Sequence, residues 1–367
     1  MTKSYEQKYT HFIQEHVLCD FQQSIAWGKV KKYWKNEVIL VLDRNNEIIA
    51  SASVLIRKVP LFGNLMYIPR GPIGDIQDKE ILKRLTEKIH KLAKQYHAFG
   101  IRIEPNIEKQ DKQFEEMVKS LGYHVYSKAV NFKQEIQARH NFRLSIAGRS
   151  KEEILQSFEP KTRYNIRLAI KKNVVVKEEK KEGLHTFYQL LEETGERDHF
   201  RIRNEEYFET IWEQFEPENI KLLTAYYQNK PIASILLVIF GRKMWYLYGA
   251  SSNQNRNVMP NYLLQWTAIC YAIEQNLEVY DFRGVSLAKD GKPDGLYRFK
   301  KGFGTEFVEL IGEIYIPFKP IRYYAYKWAE KSFRILRGFP YDKKHEKKIG
   351  ESKKEKQEVE AKLLTNS

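Results

Sequence analysis

A chain of 367 residues, 42% hydrophobic and 13% aromatic, has the material for two ordinary cores, since domains run to roughly 100–200 residues. Its net charge of +15, from 62 Lys+Arg against 47 Asp+Glu, suits an anionic partner such as nucleic acid, a nucleotide-bearing substrate or an anionic membrane face, or simply a solvated positive surface. The longest apolar run, Ile232–Phe240, falls far short of the ~20 residues that cross a bilayer, MTKSYEQKYTHF has no signal-peptide character, and Cys19 and Cys270 lack metal-site spacing; a cytoplasmic protein with reduced thiols, no metal and no cofactor is expected.

The first predicted element is a hairpin in VILVLDRNNEIIASASVLI, beginning at Val38. Two apolar, β-rich runs flank an Asn-containing turn there. LMYIPRGP follows, then a helix near Asp78–His97 and the strand GIRIEP. The same order returns later. KLLTAYYQNKPIASILLVI, beginning at Lys221, aligns without gaps, so that Asn46 meets Asn229, Ile49 meets Ile232, and Ala50–Ser51 meets Ala233–Ser234. MWYLYGASS, a helix near Val258–Gln275 and the strand LEVYDFRG complete the second copy. Self-similarity on this scale is a duplicated unit. Hairpin, helix and further strand is the core order of acetyltransferase-type domains, an analogy of fold alone.

Between the copies, Lys151–Asn173 reads as an amphipathic helical stretch, followed by the strand VVVKE. Arg163, Arg167 and Lys171 recur at i, i+4, i+8, opposite Ile166 and Ile170, so they form either a phosphate-tracking stripe or a solvated face. In RDHFRIRNEEYF, Arg201 and Arg203 precede Tyr207; a loop entering a helix could hold a phosphate there, or the arginines could pair with Glu205 and Glu206. No motif orients His199 as a base. Glu104 and Asp281 end the two repeated strands, where clefts form, and serve as base, positioning group or loop cap. No serine or cysteine sits in a nucleophile setting, which argues against covalent hydrolase chemistry.

DGLYRFKKGFG, Asp294 to Gly304, interleaves Arg298, Lys300 and Lys301 with Tyr297, Phe299 and Phe303. Cations among rings suit base stacking, phosphate contact or stabilisation of an oxyanion. If the segment is extended, Arg298 and Lys300 share one face and Phe299 and Lys301 the other. FVELIGEIYIPF reads as a strand, and Pro317 and Pro320 separate it from a helix near Ile321–Arg337. The tail to Ser367 is charged and too poor in apolar residues to build a core.

YGASSNQNRNVMPNYLLQW, YDFRGV, DGLYRFKKGFG and ELIGE, with QQSIAWGKVK, KTRYNIRLAIKK and RIRNEEYF upstream, resemble in order the motifs of the Fem family of peptidoglycan bridge aminoacyltransferases, from about Phe21 to Arg337. The resemblance implies an α/β (α+β) chain of two tandem acetyltransferase-like (GNAT-type) domains without the coiled-coil arm of longer members. The expected division is residues 1–145 plus 317–340, residues 146–316, and a tail from 341 to 367. The implied reaction is aminolysis of an aminoacyl-tRNA ester by the stem-peptide lysine amine, or growing branch, of UDP-MurNAc-pentapeptide or lipid II. By resemblance, Lys31 contacts the precursor's diphosphate region with Arg203, Tyr207 and Tyr248 beside it, and Phe299 and Lys300 lie near the ester. The stripe of Arg163, Arg167 and Lys171, with Arg298 and Lys301, is expected on the tRNA side. Arg201 departs from the Thr of some armless members. The donor amino acid, whether Gly, Ala or Ser, the general base and the oligomeric state stay open.

Two rivals have distinguishable signatures. An acetyl-CoA enzyme needs a Gly-containing pyrophosphate turn, which SSNQNRNVMPN lacks and RGPIGD spaces wrongly. A non-catalytic RNA-binding protein would leave the paired acyltransferase-like units idle. The aromatic and basic segment KPIRYYAYKWAEKSFRILRGFPYDKK suits either a helix packed on the first domain or peripheral contact with the inner membrane face.

Overall fold

The computed structural model describes residues 3–126, 136–215, 217–285 and 295–332. The first half runs α1 (Lys3–Glu15), α2 (Ile25–Val30), β1 (Lys35–Leu42), β2 (Ile48–Val59), β3 (Gly63–Pro69), β4 (Ile73–Gly74), α3 (Lys79–Gln95), β5 (Ala98–Glu104), α4 (Lys112–Ser120), β6 (His124–Tyr126) and β7 (His140–Ser145). The second runs α5 (Lys151–Ser157), α6 (Pro160–Lys171), β8 (Val175–Glu179), α7 (Gly183–Asp198), α8 (Glu205–Phe215), β9 (Ile220–Tyr227), β10 (Lys230–Phe240), β11 (Lys243–Ser251), α9 (Pro260–Glu274), β12 (Val279–Gly284), α10 (Gly295–Lys301), β13 (Glu306–Glu309) and β14 (Glu313–Ile316). Residues 320–332 are helical.

The duplication is visible in the strand pairing. β1, β2 and β3 pair antiparallel in sequence, and β5 returns parallel to β3 through α3. β9, β10 and β11 do the same, with β12 parallel to β11 through α9. The aligned turn asparagines carry the same strain: Asn46 has φ 65° and Asn229 φ 62°, the left-handed conformation that tight hairpins demand and Asn tolerates. Helix α3 is capped by Asp78, which accepts from the Glu80 and Ile81 amides, and buries Leu82, Leu85, Ile89 and Ala93 at helical spacing against the first sheet. These are two tandem acetyltransferase-like units in an α/β chain.

The two sheets exchange strands. The first has the order β1-β2-β3-β5-β14-β6 and the second β13-β7-β12-β11-β10-β9-β8. β7 and β14 hold equivalent places, each antiparallel to its sheet's parallel-entering strand, but each comes from the other repeat. They lie across the expected boundaries at 145/146 and 316/317, each in the sheet of the other unit. Gly312, at φ 94°, breaks the expected single strand FVELIGEIYIPF into β13 and β14, so that one run serves both sheets. A third core joins the units: Tyr9, Phe21 and Trp27 from the first half pack with Phe208, Trp212 and Trp245 from the second.

Two local expectations change. Lys151–Asn173 is two helices, because Pro160 lacks the N–H to continue α5 and instead opens α6 at its first position. On α6, Ile166 is buried but Ile170 is 55% exposed, so the face opposite the cations is only partly packed.

Candidate active site

Lys31 ends α2, whose Ser24 accepts a hydrogen bond from the Trp27 amide at 3.0 Å and fixes the helix start. Its ammonium lies 4.0 Å from the Trp27 ring centroid and donates to the Tyr207 hydroxyl at 2.9 Å. Tyr207 lies in the first turn of α8 after the 199–204 loop, and the Arg203 guanidinium stacks 5.4 Å from its ring. Burial first, and then Tyr248 of β11 beside it, raise the pKa of Tyr207, and the Tyr248 ring packs edge-on against Phe208 at 5.0 Å. The structure thus brings Lys31, Arg203, Tyr207 and Tyr248 together, from both units. Glu205 and Glu206 bind His185 and Lys32 rather than the arginines. His199 ends α7 in a left-handed conformation at φ 54°, a capping position, and Arg201 is exposed on the same loop.

The charge balance around Lys31 is one-sided. No carboxylate lies within ion-pair distance of it among the described residues, and its pKa is lowered to about 7 by burial first, then by Arg203 and Arg283. A buried Lys31 with Arg203 and Arg283 beside it makes a cationic site suited to an anion, because an arriving phosphate relieves both the repulsion and the desolvation at this ammonium.

Arg283 is the residue that sequence reasoning missed. It sits at a bulge in β12, at φ 58°, with its amide donating to the Asp281 carboxylate at 2.6 Å. Its guanidinium lies 5.4 Å over Phe21 and 3.3 Å from the Gln137 side-chain oxygen. Strain at a bulge beside a cleft is a functional signal. The only trace in the sequence is the Arg-Gly after the repeated strand, and a bulge has no sequence signature of its own.

Glu104 and Asp281, the two strand-end carboxylates, lie in buried networks. Glu104 accepts from the Tyr67 hydroxyl and the Gln137 amide, and burial pushes its pKa up to about 7. Asp281 pairs with Arg143 at 3.1 Å, and Arg143 reaches Asn106 of the first unit at 2.5 Å. Both carboxylates are therefore committed to structural partners, and through Arg143 the Asp281 network reaches the first unit.

Lys300 and Phe299 form a second cluster on the other face of β11. DGLYRFKKGFG is not extended: its described part is helix α10, with Asp294 outside the described residues. The helical turn separates Lys300 from Arg298 and turns it inward, where it is 4% exposed. β11 and β12 pair only from Lys243–Val279 to Trp245–Asp281 and then part. In that gap the Lys300 ammonium donates to the Phe282 and Gly284 carbonyls, at 2.6 and 2.7 Å, and lies 5.7 Å from the Tyr246 ring. Phe299 packs edge-on against Tyr262 at 5.0 Å and Phe303 at 5.3 Å. The equivalent pair in the first unit, β3 and β5, stays joined from Asn64–Ala98 to Pro69–Glu104, so only the second unit opens.

The residues expected on the tRNA side divide. Arg167 and Lys171 are exposed on α6 around Tyr164, itself 59% exposed, and Arg298 and Lys301 are exposed on α10. The helices meet where Glu159 donates its amide to the Gly302 carbonyl at 2.8 Å. Arg163 instead folds back to the Gln156 carbonyl, at 3.0 Å, and the Phe158 carbonyl, capping α5.

Comparison with known proteins agrees with this architecture. The FemAB family model matches residues 5–230 and 218–331. A lipid II:glycine glycyltransferase of Staphylococcus aureus is 32% identical over 391 residues, covering 86% of this chain and 92% of that protein. A protein of the same name from Staphylococcus saprophyticus is 30% identical over 378 residues, covering 84% and 90%. The crystal structure of FemX superposes with a TM-score of 0.80 at 29% identity, covering 86% of this chain and 97% of that one. The structure of L-PGS from Bacillus licheniformis, at 11% identity and a TM-score of 0.52 over 85% and 91%, shares the fold alone. With two repeats, exchanged strands and one family model spanning nearly all of the described residues, the chain belongs to the FemAB family.

Proposed function

We propose that the chain transfers an amino acid from aminoacyl-tRNA to the stem-peptide amine of a peptidoglycan precursor, building an interpeptide bridge. The observation that carries this reading is the pair of clusters on opposite faces of β11: a cationic site of Lys31, Arg203 and Arg283, in which Lys31 has no carboxylate in ion-pair range among the described residues, and a buried ammonium, Lys300, in the strand gap. The first suits the precursor's diphosphate, with Tyr207 and Tyr248 positioning it. The second suits the ester. Attack by the amine nitrogen forms the new C–N bond and a tetrahedral oxyanion; the C–O bond to the tRNA ribose then breaks, and the amine proton passes to the ribose oxygen. Lys300 stabilises the oxyanion, and two carbonyls hold its ammonium in place before the reaction begins. Phe299, Tyr262 and Phe303 form the apolar wall beside it. Positioning of both substrates supplies much of the remaining acceleration.

The exposed cations of α6 and α10 suit the tRNA, with Tyr164 a stacking surface among them. Glycine is the favoured donor amino acid and lipid II the favoured acceptor, on the names of the staphylococcal relatives. The test incubates the protein with a mixture of charged tRNAs and either UDP-MurNAc-pentapeptide or lipid II, and weighs the products. A mass gain of one glycine on lipid II is expected; no gain on either acceptor with any charged tRNA overturns the reading.

A further inference from the structure

The helix over residues 320–332 covers the first sheet on the face opposite α3. Tyr323 and Tyr326 bury themselves against Val59, Leu65 and Phe99. A Cβ on Gly100 would meet the Tyr323 ring at 2.2 Å, and Glu330 reaches Arg102 at 3.0 Å, so the helix runs along β5 toward its Glu104 end. The packing expected of a C-terminal helix on the first domain is therefore met, and it uses only one side of the helix.

The other side is apolar and uncovered. Ile321 is 89% exposed, Tyr324 48% and Trp328 74%. Their spacing of three, four and seven residues aligns them in one stripe, directly opposite Tyr323 and Tyr326. Its flanks are cationic, with Lys319, Arg322 and Lys331 exposed, while Glu330, the helix's single carboxylate among described residues, is turned inward to Arg102. On the same sheet face, by the register of β2 with β3, Arg57 lies 4.7 Å over Trp34, and the neighbouring Tyr33 is 90% exposed. That turn begins at Lys31. Aromatic rings and aliphatic side chains rimmed by Lys and Arg are the composition that settles at a bilayer's headgroup level, where rings enter the interface and cations meet anionic lipid. No helix among the described residues is long and apolar enough to cross a membrane.

We infer that the outer face of helix 320–332 docks on an anionic lipid surface and, with the Tyr33–Trp34 turn, sets the Lys31 side of the cleft toward the membrane. The docking itself does not depend on the proposed reaction; its use in presenting a lipid-linked acceptor does. A nucleic-acid partner fits less well, because the centre of the stripe is apolar and the cations lie only at its rim.

The experiment floats the full chain with phosphatidylglycerol-containing vesicles and with phosphatidylcholine-only vesicles, in the absence of tRNA. Wild type is expected to float with the anionic vesicles and to lose binding with added salt. Ile321→Ser/Trp328→Ser is expected to weaken it by about tenfold or more, as loss of buried apolar area at an interface requires; Lys319→Glu/Arg322→Glu/Lys331→Glu should do likewise. All these positions are exposed, and thermal melts verify folding. Absence of wild-type flotation, or binding unchanged in both variants, overturns the inference. So does flotation that appears only after removal of residues 333–367, which makes the tail the occupant, a dimer that Trp328→Ser dissociates, or tRNA affinity that falls in the apolar variant. Transfer to the soluble UDP-linked acceptor without vesicles, in the same variants, separates the two proposals: docking lost with transfer intact supports both, and transfer absent in wild type leaves the flotation result to stand by itself.

Discussion

Proton linkage at Lys31 offers a quantitative check on the anion site. The ordinary lysine pKa of 10.5 falls to about 7 here, through burial and the Arg203 and Arg283 charges. At pH 7 about half of the free protein carries a neutral Lys31. A diphosphate that needs the ammonium must restore its proton. Between pH 6 and pH 9 the apparent affinity should then fall by about two decades, or about 2.7 kcal/mol at 1.36 kcal/mol per pKa unit. Titration calorimetry of UDP-MurNAc-pentapeptide in buffers of different ionisation enthalpy should find uptake of about 0.5 proton at pH 7 and about 0.9 at pH 8. Lys31→Arg, charged throughout, should flatten the profile. The stability sign is opposite: the unfolded chain holds this proton up to pH 10.5 and the folded chain only to about 7, so this residue's contribution to stability rises across that window. Lys31→Met should raise Tm more at pH 6 than at pH 10. Affinity and proton uptake that stay flat from pH 6 to 9 in wild type would refute the reasoning.

Lys300→Met should cut single-turnover transfer by about 10²–10³-fold while leaving precursor affinity within about twofold, if Lys300 serves the ester as proposed and not the diphosphate; rapid-quench kinetics beside calorimetry reads both. Gly249→Ala would put a Cβ 1.8 Å from the Tyr246 hydroxyl and should destabilise by about 1–3 kcal/mol in urea melts, with Tyr246→Phe recovering part of the loss as the hydroxyl leaves. Arg167→Ala and Lys171→Ala should each reduce the salt slope of tRNA binding by about 0.7–1, whereas Arg163→Ala should leave the slope alone and cost about 1 kcal/mol of stability through its lost carbonyl contacts. Glu104, with its pKa raised to about 7, holds its proton in the folded state above the unfolded value of 4.5, so its contribution to stability falls as pH rises from 4.5 to 7; Glu104→Gln should remove that slope in pH-dependent melts.

The duplicated unit and the order of elements within it are legible in the residue pattern alone. The hairpin turns at Asn46 and Asn229 and the helix near Asp78–His97 are local signals, set by backbone strain and residue pattern over a few residues. Ordered motifs placed Lys31, Arg203, Tyr207 and Tyr248 in one expected site, and the fold gathers these four from separate elements. The exchange of β7 and β14 between sheets emerges only in the packed chain, because strand partnership is a contact between distant segments that neither strand's pattern encodes. The same limit hid the helix in DGLYRFKKGFG: its turns and aromatics read equally well as extended chain, and the buried Phe282 and Gly284 carbonyls that draw Lys300 inward belong to another strand. Arg163, which spacing allowed on either a phosphate-tracking stripe or a solvated face, caps its neighbouring helix for the same reason. A side chain's spacing fixes its face on an element, but its charge acts on whatever groups the packed chain brings there.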